Sequence, residues 1–333
     1  MSAAKILLFT KQPLPTQAYG FFLNMKAKIL FLFGMLCASP LLGQDDLLAM
    51  LNQEDAKKIT YTQATFKGTR FINGQTVETI AKKHLNFWIS HRFGALNSGF
   101  MDNFLGLDEA KIRLGLEYGI SDVWLVGMGR STIEKTYDFY TKYKVLRQSN
   151  EMPITLTAYG SLVTNTMPTG YSLPSGNLMR YENNLQRQTY MGQILIARKF
   201  TDKLSLQIMP TVLHNNKVES IYFDNNLYSL GLGGRYKLTN RLSLSAEYYK
   251  NIVDTENFLK TSGAAYPYQD SFSVGFDIET GGHVFQLHFT NSKGMIEKHF
   301  ISQTTGTWGN ADIFYGFNMA RTFSFEPDKK NKK

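Results

Sequence analysis

The chain has 333 residues, of which 43% are hydrophobic, 14% aromatic and only 19% charged. Because soluble proteins average about 25% charged residues, this composition favours a large core or a large lipid-facing surface and excludes disorder away from the ends. The formal net charge is +9, but four lysines lie in residues 1–43 and the remaining excess forms no basic stripe. A nucleic-acid partner is therefore not expected.

The N-terminal region predicts an export signal. Lys26 and Lys28 form a basic start, residues 29–37 an apolar stretch, and residues 38–43 a small-residue exit that contains a proline. This order is typical of a secretory signal peptide, which we place at residues 25–43.

Two further expectations follow from this signal. We interpret Met25 as the true start and residues 1–24 as a mis-assigned upstream extension; the alternative is an extended basic region of the signal itself. The single cysteine, Cys37, lies within the predicted signal. The exported chain would therefore have no disulfide or thiol chemistry.

Residues 44–82 precede the first strand and are predicted to form a short amphipathic helix and then an extended segment. Within it, "TFKGTR" contains Lys67 and Arg70. These cations are expected either to lie in a plug inside the fold or to bind an anionic ligand at the periplasmic mouth. The alternative is a solvated periplasmic extension or an added edge strand.

From residue 83 onwards, apolar and polar residues alternate with the period of two that marks a β-strand. Most segments have about the 9–11 residues of a tilted strand that spans a bilayer. The twelve predicted strands are 83–93, 110–118, 123–132, 136–147, 153–165, 188–200, 203–213, 227–238, 241–252, 271–279, 283–291 and 311–325.

Short and long connections alternate between these strands, and only the link 133–135 departs from the rule. Outer-membrane barrels have short turns on the periplasmic side and long loops outside. The sequence therefore predicts an all-β fold, a closed antiparallel transmembrane β-barrel of about twelve strands over residues 83–325, followed by a polar tail at 326–333. The alternative is a soluble barrel or sandwich whose apolar faces point inward.

Parity assigns each side chain of a strand to the lipid or to the lumen. In the hairpin "RYKLTNRLSLSAEYYK", Leu242 and Leu244 fall on one face, and Ser243 and Glu247 on the other. A lysine or arginine that faced lipid at the midplane would cost about 2–4 kcal/mol, so charged positions belong in the lumen. The predicted lumen-lining residues, which would set solute selectivity, are Arg92, Arg113, Glu117, Asp138, Lys142, Lys144, Arg235, Glu247, Asp277 and His288.

The stretches "ATFKGTRFINGQTVE", "ISHRFGALNSG", "FLGLDEAKIRLGLEYGISD", "GMGRS" and "KYKVLRQ" carry a family resemblance. Together they resemble the outer-membrane β-barrel family of the Bacteroidota labelled domain of unknown function 5777, most densely over residues 61–148. The resemblance implies an outer-membrane barrel without an established activity. The tail "EPDKKNKK" follows the last strand and departs from the strictly C-terminal assembly signal of most barrels.

No catalytic, metal or cofactor site is predicted. The six histidines show no HxxxH or HExxH spacing and have no cysteine partners. In "WISHRFG", Ser90 and His91 are adjacent, so their side chains point to opposite faces and cannot form a nucleophile–base pair directly.

The sequence favours a pore or transporter for a small polar solute in the outer membrane. Outer-membrane lipid and the barrel-assembly machinery are the expected partners. Two alternatives stay open: a structural or adaptor barrel that docks a periplasmic or surface partner, and a lipid-acting enzyme that brings a serine and a histidine together across strands.

Overall fold

The computed structural model describes residues 59–280 and 283–325. Several predicted regions therefore lie outside the described residues. These are the upstream extension at 1–24, the signal at 25–43, the predicted helix of the extension up to residue 58, and the tail at 326–333.

Twelve long strands close into one antiparallel barrel, and the prediction of a twelve-stranded closed barrel is confirmed. Each strand pairs with its neighbours in chain order, and the first strand pairs with the last. The barrel strands are β1 (His84–Ala95), β2 (Ala110–Ser121), β3 (Trp124–Ser131), β4 (Tyr137–Leu146), β5 (Thr155–Thr164), β8 (Gln188–Lys199), β9 (Leu204–Asn215), β10 (Asn226–Lys237), β11 (Leu242–Ile252), β12 (Ser271–Thr280), β13 (His283–Thr290) and β14 (Phe314–Ser324).

The remaining elements lie in the connections. A small hairpin of β6 (Tyr171–Ser172) and β7 (Leu178–Met179) follows β5. The short helices are α1 (Phe100–Asn103), α2 (Thr255–Ser262) and α3 (Glu297–Ser302). No helix among the described residues is long and apolar enough to cross a membrane.

Closure of the barrel is carried by β1, which pairs with β14 on one side and β2 on the other. The register runs from His84 opposite Ser324 to Arg92 opposite Gly316, and Leu85 lies opposite Tyr118 of β2. A closed sheet leaves no open edge, so the backbone amides and carbonyls find partners within the sheet, as the interior of a bilayer requires.

The side chains follow the predicted parity. In β11, Ser243 and Glu247 are buried inside the barrel, whereas Leu242 and Leu244 lie on its outer face. On β2, Leu114 is 47% exposed and Arg113 is fully buried. The alternative of a soluble barrel with inward apolar faces is therefore wrong, because the apolar faces point outward.

The predicted and observed barrel strands differ only at their ends, and the small β6–β7 hairpin was not predicted. The last strand begins at Phe314 and not at residue 311, because Ala311 has a φ of 59°, which an extended strand does not accommodate. The short link between β3 and β4 holds a one-turn 3-10 helix, Ile133–Lys135, in which Glu134 also has a positive φ of 50°.

The two ends of the barrel differ in their connections. We call the end with the short connections, at 122–123, 147–154, 200–203 and 238–241, the turn end. We call the other end the loop end; its connections are 96–109, 132–136, 165–187, 216–225, 253–270 and 291–313. Strand β1 begins and β14 ends at the turn end.

The hydrophobic core lies inside the barrel. It includes Phe66 and Phe71 from before the first strand, Tyr249 from the inner face of β11, and Phe300 and Ile301 from the connection after β13. The lumen is therefore filled by one segment from before the first strand and by another from the connection between β13 and β14.

Candidate functional site: a lumen filled by two segments

Residues 65–80, which we call the plug segment, lie inside the barrel. Residues 69–76 reverse direction within the lumen: Phe71 N–H donates to the Gly74 carbonyl at 2.8 Å, and Thr76 N–H donates to the Thr69 carbonyl at 2.9 Å. Gln75 and Val77 are fully buried. The plug segment is not an added edge strand, since both sides of β1 are already paired.

The tip of the plug segment is held by charged side chains of the wall. One oxygen of the Glu247 carboxylate accepts a hydrogen bond from Asn73 N–H at 2.8 Å, and the other accepts from Gly74 N–H at 2.9 Å. Arg92 donates to Asn73 Oδ1 at 2.5 Å. Gly74 must be glycine here, because a Cβ would lie 2.1 Å from the Tyr249 hydroxyl oxygen.

Other wall residues bind the main chain of the plug segment. Lys142 Nζ donates to the carbonyls of Thr69 and Thr76 at 2.5 and 3.1 Å. Gln286 donates to the Phe71 carbonyl at 2.5 Å, and Asn318 donates to the Ile72 carbonyl at 2.8 Å. Gln207 pairs with the main chain twice, accepting from Val77 N–H at 2.8 Å and donating to the Gln75 carbonyl at 2.7 Å.

Glu117 joins the plug segment to the first strands. Its carboxylate accepts hydrogen bonds from Thr69 Oγ1 at 2.7 Å, Trp88 Nε1 at 2.8 Å, Tyr140 Oη at 2.9 Å and Asn86 Nδ2 at 3.2 Å. A buried carboxylate is stable only when its oxygens are satisfied in this way. Of these donors, only Thr69 belongs to the plug segment.

Half of the predicted lumen-lining residues thus contact the plug segment: Arg92, Glu117, Lys142 and Glu247 as described, and Lys144, whose ammonium lies 3.4 Å from Glu78 Oε2. They do not line an open channel in this structure. Parity assigned them to the correct face, but it does not say what occupies the space they face.

The other five predicted residues bind the wall itself or stand apart from the plug segment. Arg113 forms a buried ion pair with Asp138. Arg235 donates to Ser243 Oγ at 2.8 Å, and Asp277 accepts from Ser245 Oγ at 2.5 Å and from Gln286 Nε2 at 2.8 Å. His288 is buried, and its ring nitrogens have no hydrogen-bond partner among residues 59–280 and 283–325.

The two cations predicted for a plug or an anion contact are paired with carboxylates of the chain. Lys67 forms an ion pair with Glu279. Arg70 donates to the Asn73 carbonyl at 3.1 Å and lies 4.0 Å from Glu297 Oε1. Both belong to the plug segment.

A second segment enters the lumen from the loop end, which sequence reasoning missed. In the connection 291–313, which we call the inner loop, Phe300 and Ile301 are fully buried. Glu297 of α3 accepts from Gln75 Nε2 at 3.0 Å, so the inner loop meets the plug segment in mid-lumen. The apolar pairs Met295–Ile296 and Phe300–Ile301, unusual in a solvent loop, were the available signal.

Glu134 fastens the inner loop to the neighbouring connections. It forms a buried ion pair with Lys298 and accepts from Gln303 Nε2 at 2.9 Å, both on the inner loop. It also accepts from Tyr171 Oη at 2.9 Å and Asn165 Nδ2 at 2.8 Å in the connection 165–187. Burial alone would raise the pKa of Glu134, but the Lys298 ammonium and the neighbouring His299 hold this pKa well below its usual range.

No serine–histidine pair forms from the adjacent residues of β1. Ser90 is buried in the lumen, whereas the His91 ring lies on the outer face and stacks on Phe317 with centroids 5.2 Å apart. No group of three or more histidine, cysteine, aspartate or glutamate side chains that would hold a metal ion occurs in the described part of the chain.

These features define a membrane β-barrel with a filled lumen. The family model for a membrane-bound β-barrel domain, DUF5777, matches residues 66–323, and the chain belongs to this family. The resemblance to this β-barrel family, noted in the sequence, is thereby confirmed. The matched range includes residues 66–80 of the plug segment.

Comparison with solved structures gives distant similarity to other barrels. The KdgM porin is 9% identical, with 72% of this chain and 99% of that chain covered and a TM-score of 0.43. Omp33 of Acinetobacter baumannii is 10% identical, with coverage of 75% and 100% and a TM-score of 0.37. Outer membrane phospholipase A of Escherichia coli is 11% identical, with coverage of 73% and 91% and a TM-score of 0.39. No curated protein matches the chain.

Proposed function

We propose that the protein is a plugged outer-membrane pore for small polar solutes, which conducts when the plug segment leaves the lumen. The supporting observation is how the plug segment is held. Wall side chains such as Lys142, Gln207 and Glu247 bind its main-chain groups by hydrogen bonds. When the plug segment leaves, these polar groups of the wall can be hydrated, so the emptied lumen would fill with water.

The chemistry of the emptied wall supports a polar solute. Charges of both signs lie on the inner faces, including Arg92, Glu117, Lys142 and Glu247. Rings of such side chains select solutes by charge and by hydrogen bonding. These residues therefore have two roles in the proposal: they hold the plug segment in the closed state and contact solute in the open state.

A twelve-stranded barrel is narrow enough for inserted segments to fill it. The inner loop also occupies the lumen, so conduction in this proposal requires the inner loop to shift once the plug segment has left and Gln75 no longer contacts Glu297. With the plug segment in place, a cavity of ≈ 210 Å³ remains at the turn end. It is lined by Lys67, Glu78 and Trp88 among others. We infer that this cavity is where withdrawal of the plug segment begins, because Lys67 and Glu78 are only part-buried there.

The proposal places the protein in the outer membrane, exported through the predicted signal at residues 25–43, with the turn end in the periplasm. Its partners would be outer-membrane lipid and the barrel-assembly machinery. A periplasmic partner that binds the chain ahead of residue 59 would be positioned to pull on the plug segment.

The filled lumen also favours a second function, a structural or adaptor barrel. If the plug segment never leaves, the barrel only presents its loops and its N-terminal region to a partner. A lipid-acting enzyme has no comparable support, and the absence of catalysis stays a prediction.

Single-channel recording in planar bilayers separates the two functions. We expect rare openings from the exported chain and frequent, larger openings when residues 44–82 are removed. The control is the variant Phe100→Ala, which alters an exposed side chain of the connection 96–109 and should behave as the parent. Silence from all three refolded proteins would contradict the pore and favour the adaptor.

A further inference from the structure

A cleft opens at the loop end, apart from the plug segment. It has a volume of ≈ 420 Å³ and is lined by the connections 165–187, 216–225 and 253–270, together with Lys298, Ser302 and Gln303 of the inner loop. Small-molecule sites have volumes of about 300–1,000 Å³. The cleft is therefore large enough for a small ligand.

Aromatic side chains concentrate in this cleft. Phe223 packs against Phe258 with centroids 4.9 Å apart at 66°, and Phe258 packs against Tyr266 at 5.1 Å and 90°. These edge-to-face contacts fix the rings and give the cleft a rigid base. Tyr222 also lines the cleft and is 46% exposed, so its ring is available to a ligand.

The charge of the cleft disfavours an anionic ligand. Glu219 accepts hydrogen bonds from three uncharged donors, Ser175 Oγ at 2.5 Å, Asn177 Nδ2 at 3.0 Å and the Tyr268 hydroxyl. Burial and then the negative charge of Glu219 raise the pKa of Tyr266 to about 12, so its hydroxyl stays a protonated donor.

Two of the three cations that line the cleft, Arg187 and Lys298 but not Lys217, are already engaged by the protein. Arg187 donates to the Met167 carbonyl at 2.6 Å and lies over the Tyr181 ring at 4.7 Å. Lys298 is paired with Glu134. Neither is free to neutralise an added carboxylate or phosphate, and the charge of Lys217 is outweighed by Asp224 and Asp254, which line the cleft together with Glu219.

Amide and hydroxyl groups complete the lining, among them Asn257, Gln186 and Gln303. Gln303 and Gln186 each donate one amide hydrogen within the protein, to Glu134 and Glu182, and each keeps a second amide hydrogen. A wholly apolar ligand would leave these hydrogens and the Asn257 amide unpaired. An ammonium group only donates, so it would satisfy the carboxylates but not the amide donors. A polyhydroxyl ligand satisfies donors and acceptors together.

We propose that the loop-end cleft binds a neutral sugar, with a C–H face of the sugar ring against Tyr222 and its hydroxyls donating to Glu219. The C–H groups of a pyranose ring are weakly positive and match the negative face of an aromatic ring. This site goes beyond the proposed pore and does not depend on it, because the cleft is open while the lumen is filled.

The test uses the full exported chain in detergent and isothermal titration calorimetry. The probes are five neutral disaccharides (maltose, cellobiose, lactose, mannobiose and xylobiose), digalacturonate as the acidic sugar, and choline as the cation. We expect at least one neutral disaccharide to bind, and digalacturonate and choline to bind at least tenfold more weakly.

Two variants locate the site. Tyr222→Ala and Glu219→Gln should each weaken binding of that disaccharide by about tenfold, the equivalent of one good contact. Phe100→Ala, which removes an exposed ring outside the cleft, should bind as the parent, and heat-modifiable gel migration should show all variants folded. The proposal is overturned if no neutral disaccharide binds, if digalacturonate or choline binds better, or if folded Tyr222→Ala binds as tightly as the parent.

Discussion

At the scale of single residues, Glu247 has the most direct hold on the plug segment. Its two oxygens accept from Asn73 and Gly74 N–H groups. Replacing it with glutamine puts an NH₂ group against one of these donors, and a buried donor without a partner costs about 1–3 kcal/mol. We expect Glu247→Gln to favour plug release and to raise the frequency of channel openings about fivefold or more.

The matched control is Glu256→Gln, which changes an exposed glutamate of α2 whose carboxylate pairs with Lys260 at 2.7 Å. It removes the same charge far from the lumen and should leave the openings unchanged. If both variants behave as the parent in bilayer recordings, Glu247 does not hold the closed state.

At the scale of elements, the inner loop should be released by acid. Burial lowers the pKa of His299, although Glu134 opposes this shift, and the pKa of Glu134 lies well below its usual range. Both groups therefore bind protons more readily once the loop leaves. Loop stability is full above the ordinary histidine pKa of about 6.5 and falls as the pH drops below it, with Glu134 adding to the loss at lower pH.

Limited proteolysis of the connection 291–313 against pH measures this release. We expect cleavage to rise below about pH 6.5, and to be high at every pH in Glu134→Gln, because breaking a buried ion pair costs about 3–5 kcal/mol. His299→Gln should move the onset to lower pH. Cleavage that is independent of pH in the parent would show that this cluster does not hold the loop.

The elements also show how far the sequence determines the fold. Alternation fixed the twelve strands and the inward position of residues such as Glu117 and Lys142, because strand parity depends only on local sequence. It did not give their partners. Thr69 meets Glu117 across 48 positions and Glu297 meets Gln75 across 222, and no local pattern encodes contacts between segments so far apart.

At the scale of the whole molecule, the barrel should fold without its plug segment. Every barrel strand pairs with a neighbouring strand on both sides, and the first strand, β1, pairs with the last, β14. Closure of the barrel therefore does not require residues 65–80. Their removal exposes Glu117 and Lys142 to a water-filled lumen, where their charges are solvated. The chain without residues 44–82 should therefore keep heat-modifiable migration but lose it at a lower temperature than the parent, since it lacks the buried plug core of Phe66, Phe71 and Val77.

Unfolding followed by gel migration and by circular dichroism measures this difference. A truncated chain that never forms the compact band would mean that the segment is an integral core of the barrel. The pore proposal would then fail together with the idea of a removable plug, whereas binding at the loop-end cleft would be unaffected.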